Sequence, residues 1–119
     1  MSSSRKILWV EDDGHQREII AELFGLLGYR GEVVGNGQAA IERLAAADFD
    51  TLITDIGMPG MNGWQLIEEV RRTFSEPLAI IIISGWADEI DDETRTRLGL
   101  AATLSKPFQI AQLRAIIES

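Results

Sequence analysis

The 119-residue sequence contains no cysteine, only three prolines and a single histidine. Without cysteine the chain forms no disulfide and no thiolate metal site, and it suits a reducing compartment. Positive charge is also scarce, because 11 lysines and arginines stand against 19 aspartates and glutamates, for a formal net charge of −8. Such an acidic chain is a poor candidate for binding nucleic acid or an anionic membrane, since both are contacted largely through phosphates.

Long apolar runs are absent as well. The longest, "LAIIII" at 78–83, is far shorter than the roughly 20 apolar residues of a membrane helix. The first apolar stretch, "ILWV" at 7–10, is too short for the core of a signal peptide. We therefore expect a cytoplasmic protein. The composition, 45% apolar and 25% charged, predicts one folded domain over residues 1–119, with residues 1–4 disordered.

Short β-rich segments alternate with segments of helical period. The predicted strands are 6–10, 31–35, 50–54, 79–83 and 102–105, and most are continuously apolar, as strands buried on both faces are. The predicted helices are 14–28, 37–47, 62–74, 87–99 and 109–119. This alternation predicts a parallel sheet with helices on both sides, because crossover connections are right-handed.

The helical segments carry more specific expectations. In the first, Gly28 is placed to end the helix, and in the third, Asn62 is placed to begin it. The apolar residues expected to form the packed stripes of the first and last helices are Ile19, Ile20, Leu23, Phe24 and Leu27, and Ile110, Leu113 and Ile117. Leu26 widens the first stripe and predicts an exposed docking face for a helical, histidine-bearing partner. The fourth helix has only Ile90 and Leu98 as large apolar residues, so we expect it to be the loosest element.

Polar residues follow four of the five predicted strands. In open parallel sheets the carboxyl ends of the strands meet at one edge, where ligands bind. The residues at these ends are Glu11, Asp12 and Asp13 after the first strand, Asp55 after the third, Ser84 after the fourth and Lys106 after the fifth. Hard carboxylate oxygens suit a Mg²⁺ ion that keeps room for a phosphate, and a lysine suits an anionic oxygen. A carboxylate in such a setting can attack phosphorus and form an aspartyl-phosphate.

Four ordered blocks, "ILWVEDD", "LITDIGMPGMNGWQLI", "IIIISG" and "LSKPF", resemble the signature blocks of response-regulator receiver domains of two-component signalling. The resemblance spans the whole chain. It implies a flavodoxin-like (βα)5 doubly wound fold, with a five-stranded parallel sheet in the order 2-1-3-4-5 and helices on both faces. It also implies a phosphorylatable switch rather than an enzyme, one that takes a phosphoryl group from a histidine kinase or histidine phosphotransfer domain and then changes its binding to an effector that the sequence does not identify.

The resemblance also implies residue roles. Asp55 would be the phospho-acceptor, Lys106 would contact the phosphoryl oxygen, and Ser84 would be the switching hydroxyl. Mg²⁺, or Mn²⁺ in its place, would be held by Glu11, Asp12, Asp55 and the carbonyl of Gly57. The Lys106–Pro107 bond would be cis. The domain would assist its own phosphorylation and slow autodephosphorylation.

Three positions depart from the family pattern: Thr103, Gly57 and Trp86. Gly57, two residues after Asp55, has no side chain, and the resemblance implies that this position and that of Trp86 tune how easily water attacks the acyl phosphate. Thr103 stands where the family usually has an aromatic residue that moves on phosphorylation, which puts the usual relay in doubt. Trp86 is unusually large, and we predict that it shields the phosphoryl group from water. The alternative for Trp86 is a ring packed under the fourth helix.

Simpler readings exist for single residues. Asp13 would mainly charge the start of the first helix, and His15 would be a solvated first-turn residue rather than a metal ligand or phosphoryl carrier. Taken singly, Asp55 and Ser84 would be turn residues, and Lys106 a surface charge. The segment "GNGQAA" at 35–40 matches a dinucleotide-binding pattern but follows the second strand rather than the first, which favours a turn.

Two other functions compete with the switch. A haloacid-dehalogenase-like phosphatase would need a second aspartate where Gly57 stands. A pure interaction module would keep the fold without phosphorylation, although every acceptor-site residue type is present. The sequence leaves open the partner kinase, monomer against phosphorylation-dependent dimer, and whether the domain stands alone, is cut from a larger regulator or belongs to a hybrid kinase.

Overall fold

The computed structural model describes residues 5–118, so the disorder predicted for residues 1–4 lies outside the described residues. Five strands alternate with five helices: β1 Lys6–Val10, α1 Gly14–Leu27, β2 Arg30–Val34, α2 Gly37–Ala46, β3 Thr51–Thr54, α3 Gly63–Thr73, β4 Ala79–Ser84, α4 Asp92–Leu98, β5 Leu100–Ser105 and α5 Ile110–Ile117. All strand pairings are parallel, and the order is β2-β1-β3-β4-β5. The predicted fold is confirmed.

The sheet is covered by an apolar layer on each face. Alternate strand residues supply the two layers, because successive side chains of a strand point to opposite faces. One face packs against α2, α3 and α4, and its fully buried side chains include Leu8, Leu52, Leu66, Ile67, Ile80 and Ile82. The other packs against α1 and α5, with Ile7, Ile53, Leu113 and Ile117 at its centre. Burial on both faces explains the continuously apolar strands.

The strand register decides what meets at the carboxyl edge. Val10 pairs with Thr54, Thr54 with Ile82, and Ile82 with Thr103, so one row crosses four strands. The next residues along β1 and β3 are therefore Glu11 and Asp55, at the same level of the sheet. The convergence predicted for the strand ends follows from this register.

The two predicted helix-capping residues, Gly28 and Asn62, both act as caps. Asn62 caps α3 by accepting from the Gln65 N–H at 2.9 Å, and the Gln65 side chain accepts from the Asn62 N–H at 2.9 Å. Gly28 ends α1 with φ 74°, a left-handed conformation that glycine adopts at low cost. These caps fix where α1 ends and where α3 begins.

The prediction of one helix over residues 87–99 is wrong. A 3₁₀ turn at Ala87–Glu89 is followed by Ile90, and Asp91 then caps the seven-residue α4 by accepting from the Thr94 N–H at 2.8 Å. Helix and turn separate because a capping aspartate interrupts the acidic segment. Ile90 and Leu98 are both buried, so the region is anchored at each end.

Two residues of the predicted packed stripes are exposed instead. Ile19 is 45% exposed and Ile110 is 50% exposed, whereas Ile20, Leu113 and Ile117 are buried. Apolar periodicity does not distinguish a buried stripe from its flank, and Ile19 on that flank lines a cleft. No helix within residues 5–118 has the length and apolar content needed to cross a membrane.

Candidate functional site

Five of the residues predicted at the strand ends line one cleft. Glu11, Asp12 and Asp13 line it from the β1–α1 loop, Asp55 from the end of β3, and Lys106 from the segment after β5. The walls beside them are apolar and include Ile19, Ile20, Leu23, Ile83, Pro107 and Phe108. The cleft thus combines four carboxylates and one ammonium group with an apolar rim.

The two carboxylate oxygens of Asp55 have different partners. Oδ1 accepts from the Ile56 N–H at 2.6 Å and from the Gly57 N–H at 3.4 Å. Oδ2 forms an ion pair with Nζ of Lys106. Two backbone N–H groups therefore hold Oδ1, and Oδ2 is the oxygen that faces the Lys106 ammonium group.

The backbone of β4 and β5 places Lys106. Its N–H donates to the carbonyl of Ser84 at 2.9 Å, which extends the β4–β5 pairing past the Ser84–Ser105 pair. The Lys106–Pro107 peptide bond is cis, as predicted. The Lys106 side chain therefore starts from the β4–β5 edge and reaches across to the end of β3.

Gly63 allows α3 to begin against the Asp55 backbone. A Cβ on Gly63 would lie 2.2 Å from the Asp55 carbonyl oxygen and 2.8 Å from the Ile56 Cα, and the Gly63 N–H donates to the Ile56 carbonyl at 2.9 Å. No side chain fits there without moving backbone. By contrast, a Cβ on Gly57 would meet nothing within 4 Å, so the space beside Gly57 is open.

The three acids after β1 have separate tasks. Asp13 caps α1 by accepting from the N–H groups of His15 at 2.8 Å and Gln16 at 3.2 Å, which confirms the reading of Asp13 as a helix-start residue. Glu11 accepts from the Asp13 N–H at 3.1 Å. Burial raises the pKa of Glu11 above its ordinary value and the Asp12 carboxylate adds to this, while the Asp13 N–H and Lys106 oppose it.

The donor set of the cleft suits a cation that keeps most of its water. Within residues 5–118 no three His, Cys, Asp or Glu side chains are arranged to hold a metal ion by themselves. Asp12 and Asp55 nevertheless line the same cleft, and both offer the hard oxygen atoms that Mg²⁺ takes. Mg²⁺ commonly uses one or two carboxylates and several waters, so a sparse donor set fits it.

Ser84 lies next to the cleft rather than on its lining. It is the last residue of β4 and is 1% exposed. Its Oγ accepts a hydrogen bond from the Trp86 N–H at 3.3 Å. In this conformation the Ser84 hydroxyl serves the turn after β4.

Thr103 and Trp86, two of the positions that depart from the family pattern, are both outside the cleft lining. Trp86 is 46% exposed, so its ring is not buried under α4, and it is not among the residues that line the cleft. Thr103 lies in β5 and accepts a hydrogen bond from Nη1 of Arg95 at 2.7 Å. Neither side chain contacts Asp55 through a hydrogen bond in the structure as described.

The structure also bears on two simpler readings. The His15 side chain is 78% exposed in the first turn of α1 and lies 4.0 Å from a Glu18 carboxylate oxygen, as a solvated residue would. Asn36, in the segment that matched a dinucleotide pattern, caps α2 by accepting from the Ala39 N–H at 2.8 Å. Both segments have ordinary structural roles.

Two arginines near the site were not singled out from the sequence. Arg17 contacts the carbonyls of the β1–α1 loop, and Arg95 joins α4 to β5. No sequence signal identifies them, since an arginine that binds backbone carbonyls leaves no trace in apolar periodicity or in charge pairing.

Comparison with known proteins agrees with this geometry. The family described as "Response regulator receiver domain" matches residues 7–118. The transcriptional regulatory protein CrdR of Helicobacter pylori is 32% identical over 96% of this chain and 54% of its own length. Like CrdR, the curated relatives are longer than this chain, which spans about half the length of those it matches most strongly.

Solved structures give the same result. A CheY-like receiver domain from Methylobacillus flagellatus superposes with a TM-score of 0.83, at 26% identity over 97% of both chains. The receiver domain of the sensor histidine kinase PA1611 from Pseudomonas aeruginosa has a TM-score of 0.80, at 28% identity over 97% of this chain and 95% of that one. That structure contains a magnesium ion coordinated in its active-site cleft.

Proposed function

The chain belongs to the response regulator receiver domain family, whose members are phosphorylatable signalling switches of two-component systems, and on that premise we propose that Asp55 is its phospho-acceptor. One observation carries the proposal. Asp55 stands in the cleft with one oxygen held by backbone N–H groups and the other paired with Lys106, and three further acids line the same cleft. A nucleophile, a compact cation and oxygen donors for a metal are the parts that phosphoryl transfer requires.

The proposed reaction is an in-line transfer to Oδ2 of Asp55. An O–P bond forms there while the P–N bond of a donor phosphohistidine breaks, and the imidazole leaves with the bonding electron pair. The N–H groups of Ile56 and Gly57 keep the carboxylate oriented through Oδ1. Lys106 gives up its ion pair with the carboxylate and places its ammonium group on a phosphoryl oxygen, which offsets the charge added there.

We propose Mg²⁺ as the cofactor, with Mn²⁺ able to replace it because both take hard oxygen donors. The protein ligands would be Asp12, Asp55 and the Gly57 carbonyl, with Glu11 supporting them. Bound there, the ion would supply positive charge to the phosphoryl oxygens. Ser84 is proposed as the switching hydroxyl, and to reach the phosphoryl group it must leave the Trp86 N–H that it now accepts from.

The proposed partner is a histidine kinase or a histidine phosphotransfer domain. The apolar wall of the cleft continues outward along α1, where Ile19 is 45% exposed and Leu26 is 84% exposed. A helix that carries the phosphohistidine would bury this surface while bringing its imidazole to Asp55. The proposal also includes an effector whose binding changes on phosphorylation, with the domain either a monomer or a phosphorylation-dependent dimer. A single domain over residues 1–119 and a cytoplasmic location, which the absence of cysteine favours, complete it.

The test is phosphorylation by a small-molecule donor. The protein is incubated with acetyl phosphate and Mg²⁺ and its intact mass is measured, together with that of Asp55→Asn. We expect wild type to gain one phosphoryl group, slow autodephosphorylation to remove it, and Asp55→Asn to gain none. Rapid phosphate release with turnover would indicate a phosphatase, and no reaction would indicate a non-phosphorylated interaction module.

Metal binding is tested separately. A cation that binds only the folded state stabilises it by mass action, so millimolar Mg²⁺ should raise the melting temperature of wild type. The increase should be smaller in Asp12→Asn. A melting temperature that does not respond to Mg²⁺ would contradict the metal part of the proposal.

A further inference from the structure

The three acids of the β1–α1 loop differ in what their carboxylates contact. Glu11 and Asp13 use their carboxylates on backbone N–H groups of the loop and of α1. Asp12 does not, and in the part of the chain that is described its carboxylate receives no backbone N–H. Apart from its contact with the Glu11 carboxyl group, the Asp12 side chain is therefore directed toward the cleft by the conformation of the loop backbone.

Arg17 holds that backbone. From the first turns of α1, its Nη1 donates to the carbonyl oxygens of Glu11 and Asp12, each at 3.0 Å. The Arg17 N–H also donates to the Asp13 carbonyl at 2.9 Å. One side chain thus contacts two successive peptide groups, and the second of them belongs to the residue whose carboxylate faces the cleft.

The Arg17 guanidinium group packs closely against Gly35 and Gly14. A Cβ on Gly35 would lie 3.0 Å from Nη1 of Arg17, and one on Gly14 would lie 3.3 Å from Nη2. Gly35 follows β2, whose Val34 carbonyl accepts from the Glu11 N–H at 2.9 Å. The loop is therefore held between the β2 edge on its N–H side and Arg17 on its carbonyl side.

We infer that Arg17 is a positioning residue for the cation site: by binding the Glu11 and Asp12 carbonyls it fixes the direction in which the Asp12 carboxylate enters the cleft beside Asp55. This inference rests on the proposed Mg²⁺ site. Removing a residue that orients a metal ligand commonly lowers metal affinity 10–100-fold. Arg17 would do so through the backbone rather than through the ligand side chain.

Charge and positioning predict opposite signs for the same substitution. Arg17 is a cation near the proposed divalent site, so on Coulomb grounds alone its removal would strengthen Mg²⁺ binding. If Arg17 positions Asp12, its removal weakens binding in spite of the lost repulsion. The sign of the change in the Mg²⁺ dissociation constant therefore distinguishes a purely electrostatic effect of Arg17 from a positioning role.

The experiment is a Mg²⁺ titration of the full chain by calorimetry, without phosphodonor. Wild type is compared with Arg17→Gln, Arg17→Lys and Arg72→Gln, the last removing an exposed α3 arginine that pairs with Glu69. We expect Arg17→Gln to raise the dissociation constant about tenfold and Arg72→Gln to leave it unchanged. Arg17→Lys should fall between wild type and Arg17→Gln, because it keeps the charge but not the reach and fixed donor directions of the guanidinium group.

A double-mutant cycle and the metal-free protein complete the test. In an Asp12→Asn background, removal of Arg17 should have no further effect on the Mg²⁺ dissociation constant. An equal or lower constant in Arg17→Gln overturns the inference, as does a lower metal-free melting temperature with unchanged Mg²⁺ affinity, which would mark a purely structural role. If wild type itself binds no Mg²⁺, the metal part of the proposed function fails and the inference fails with it.

Discussion

Nη1 of Arg95 in α4 donates to the hydroxyl of Thr103 in β5 at 2.7 Å. The same guanidinium donates from Nε to the Ile90 carbonyl at 3.2 Å and from Nη2 to the Ala87 carbonyl at 3.5 Å. One side chain thereby joins α4, the 3₁₀ turn after β4 and the β5 strand. This contact occupies the position where the family usually carries an aromatic residue.

Replacing Thr103 by valine should destabilise the domain. The substitution keeps the shape but removes the acceptor for Arg95, and a hydrogen bond to a charged group contributes about 1.5–3 kcal/mol. We expect a loss at the low end of that range, measured by urea denaturation. In a double-mutant cycle with Arg95→Gln the two effects should be less than additive; full additivity would show that the Arg95–Thr103 contact does not contribute.

Replacing Thr103 by tyrosine should change how the phosphorylated form binds its partners. The larger ring removes the Arg95 contact and offers a new apolar group on the face formed by α4 and β5. Self-association is a direct readout, measured by sedimentation velocity with and without acetyl phosphate and Mg²⁺. We expect wild type and Thr103→Tyr to differ only when phosphorylated, and identical behaviour in both states would remove position 103 from the output mechanism.

Replacing Trp86 by alanine should shorten the lifetime of the phosphoryl group. The prediction is that the indole excludes water from the acyl phosphate, so its removal should speed dephosphorylation severalfold. In the structure the ring is 46% exposed and lies outside the cleft lining, so shielding requires it to move once the domain is phosphorylated. The measurement is loss of phosphate from the purified phosphoprotein, with Trp64→Phe as a control; an unchanged or slower rate refutes the prediction.

Two glycines near Asp55 should respond differently to alanine. Gly63→Ala places a Cβ 2.2 Å from the Asp55 carbonyl oxygen, so we expect a loss of about 1–3 kcal/mol in unfolding free energy. Gly57→Ala meets nothing within 4 Å and should be nearly neutral. Urea denaturation measures both. If the loss in Gly63→Ala is as small as that in Gly57→Ala, α3 can move away from the Asp55 backbone at little cost.

The Glu32–Arg43 ion pair should make stability depend on pH. Nε and Nη2 of Arg43 donate to the Glu32 carboxylate at 2.7 and 2.9 Å and lower the pKa of Glu32 below its ordinary value of 4.5. A lowered folded-state pKa contributes stability above the ordinary pKa, and that contribution is lost as pH falls through the folded value. The difference in melting temperature between wild type and Glu32→Gln should therefore be largest at neutral pH and vanish in acid. A constant difference would contradict this assignment.

Much of the site was predictable because it depends on where strands stop. Apolar runs that end at Glu11 and Asp55 place both residues at the carboxyl edge once the sheet is parallel, whatever the details of packing. The same reasoning placed Lys106, since it follows a strand in the same sheet. The helix boundaries that carry capping residues, such as Asn62 and Gly28, were predictable for a similar local reason.

The prediction failed where the outcome depends on distant neighbours. The acids of the 87–99 segment suit a helix start and predict one helix, but Asp91 caps a shorter helix within the segment. The exposure of Ile19 and Ile110 depends on how α1 and α5 pack against the sheet, which apolar periodicity alone does not specify.

The sequence by itself determined the alternation of strands and helices and the edge of the sheet at which Asp55 meets other charged groups, because local periodicity and the parallel rule require both. Only the tertiary structure decided how those groups are held. Arg17 on the Glu11 and Asp12 carbonyls and Arg95 on Thr103 are contacts between segments, as is the Lys106 N–H on Ser84. Such contacts depend on the three-dimensional direction of a donor and a carbonyl, which composition and spacing do not encode.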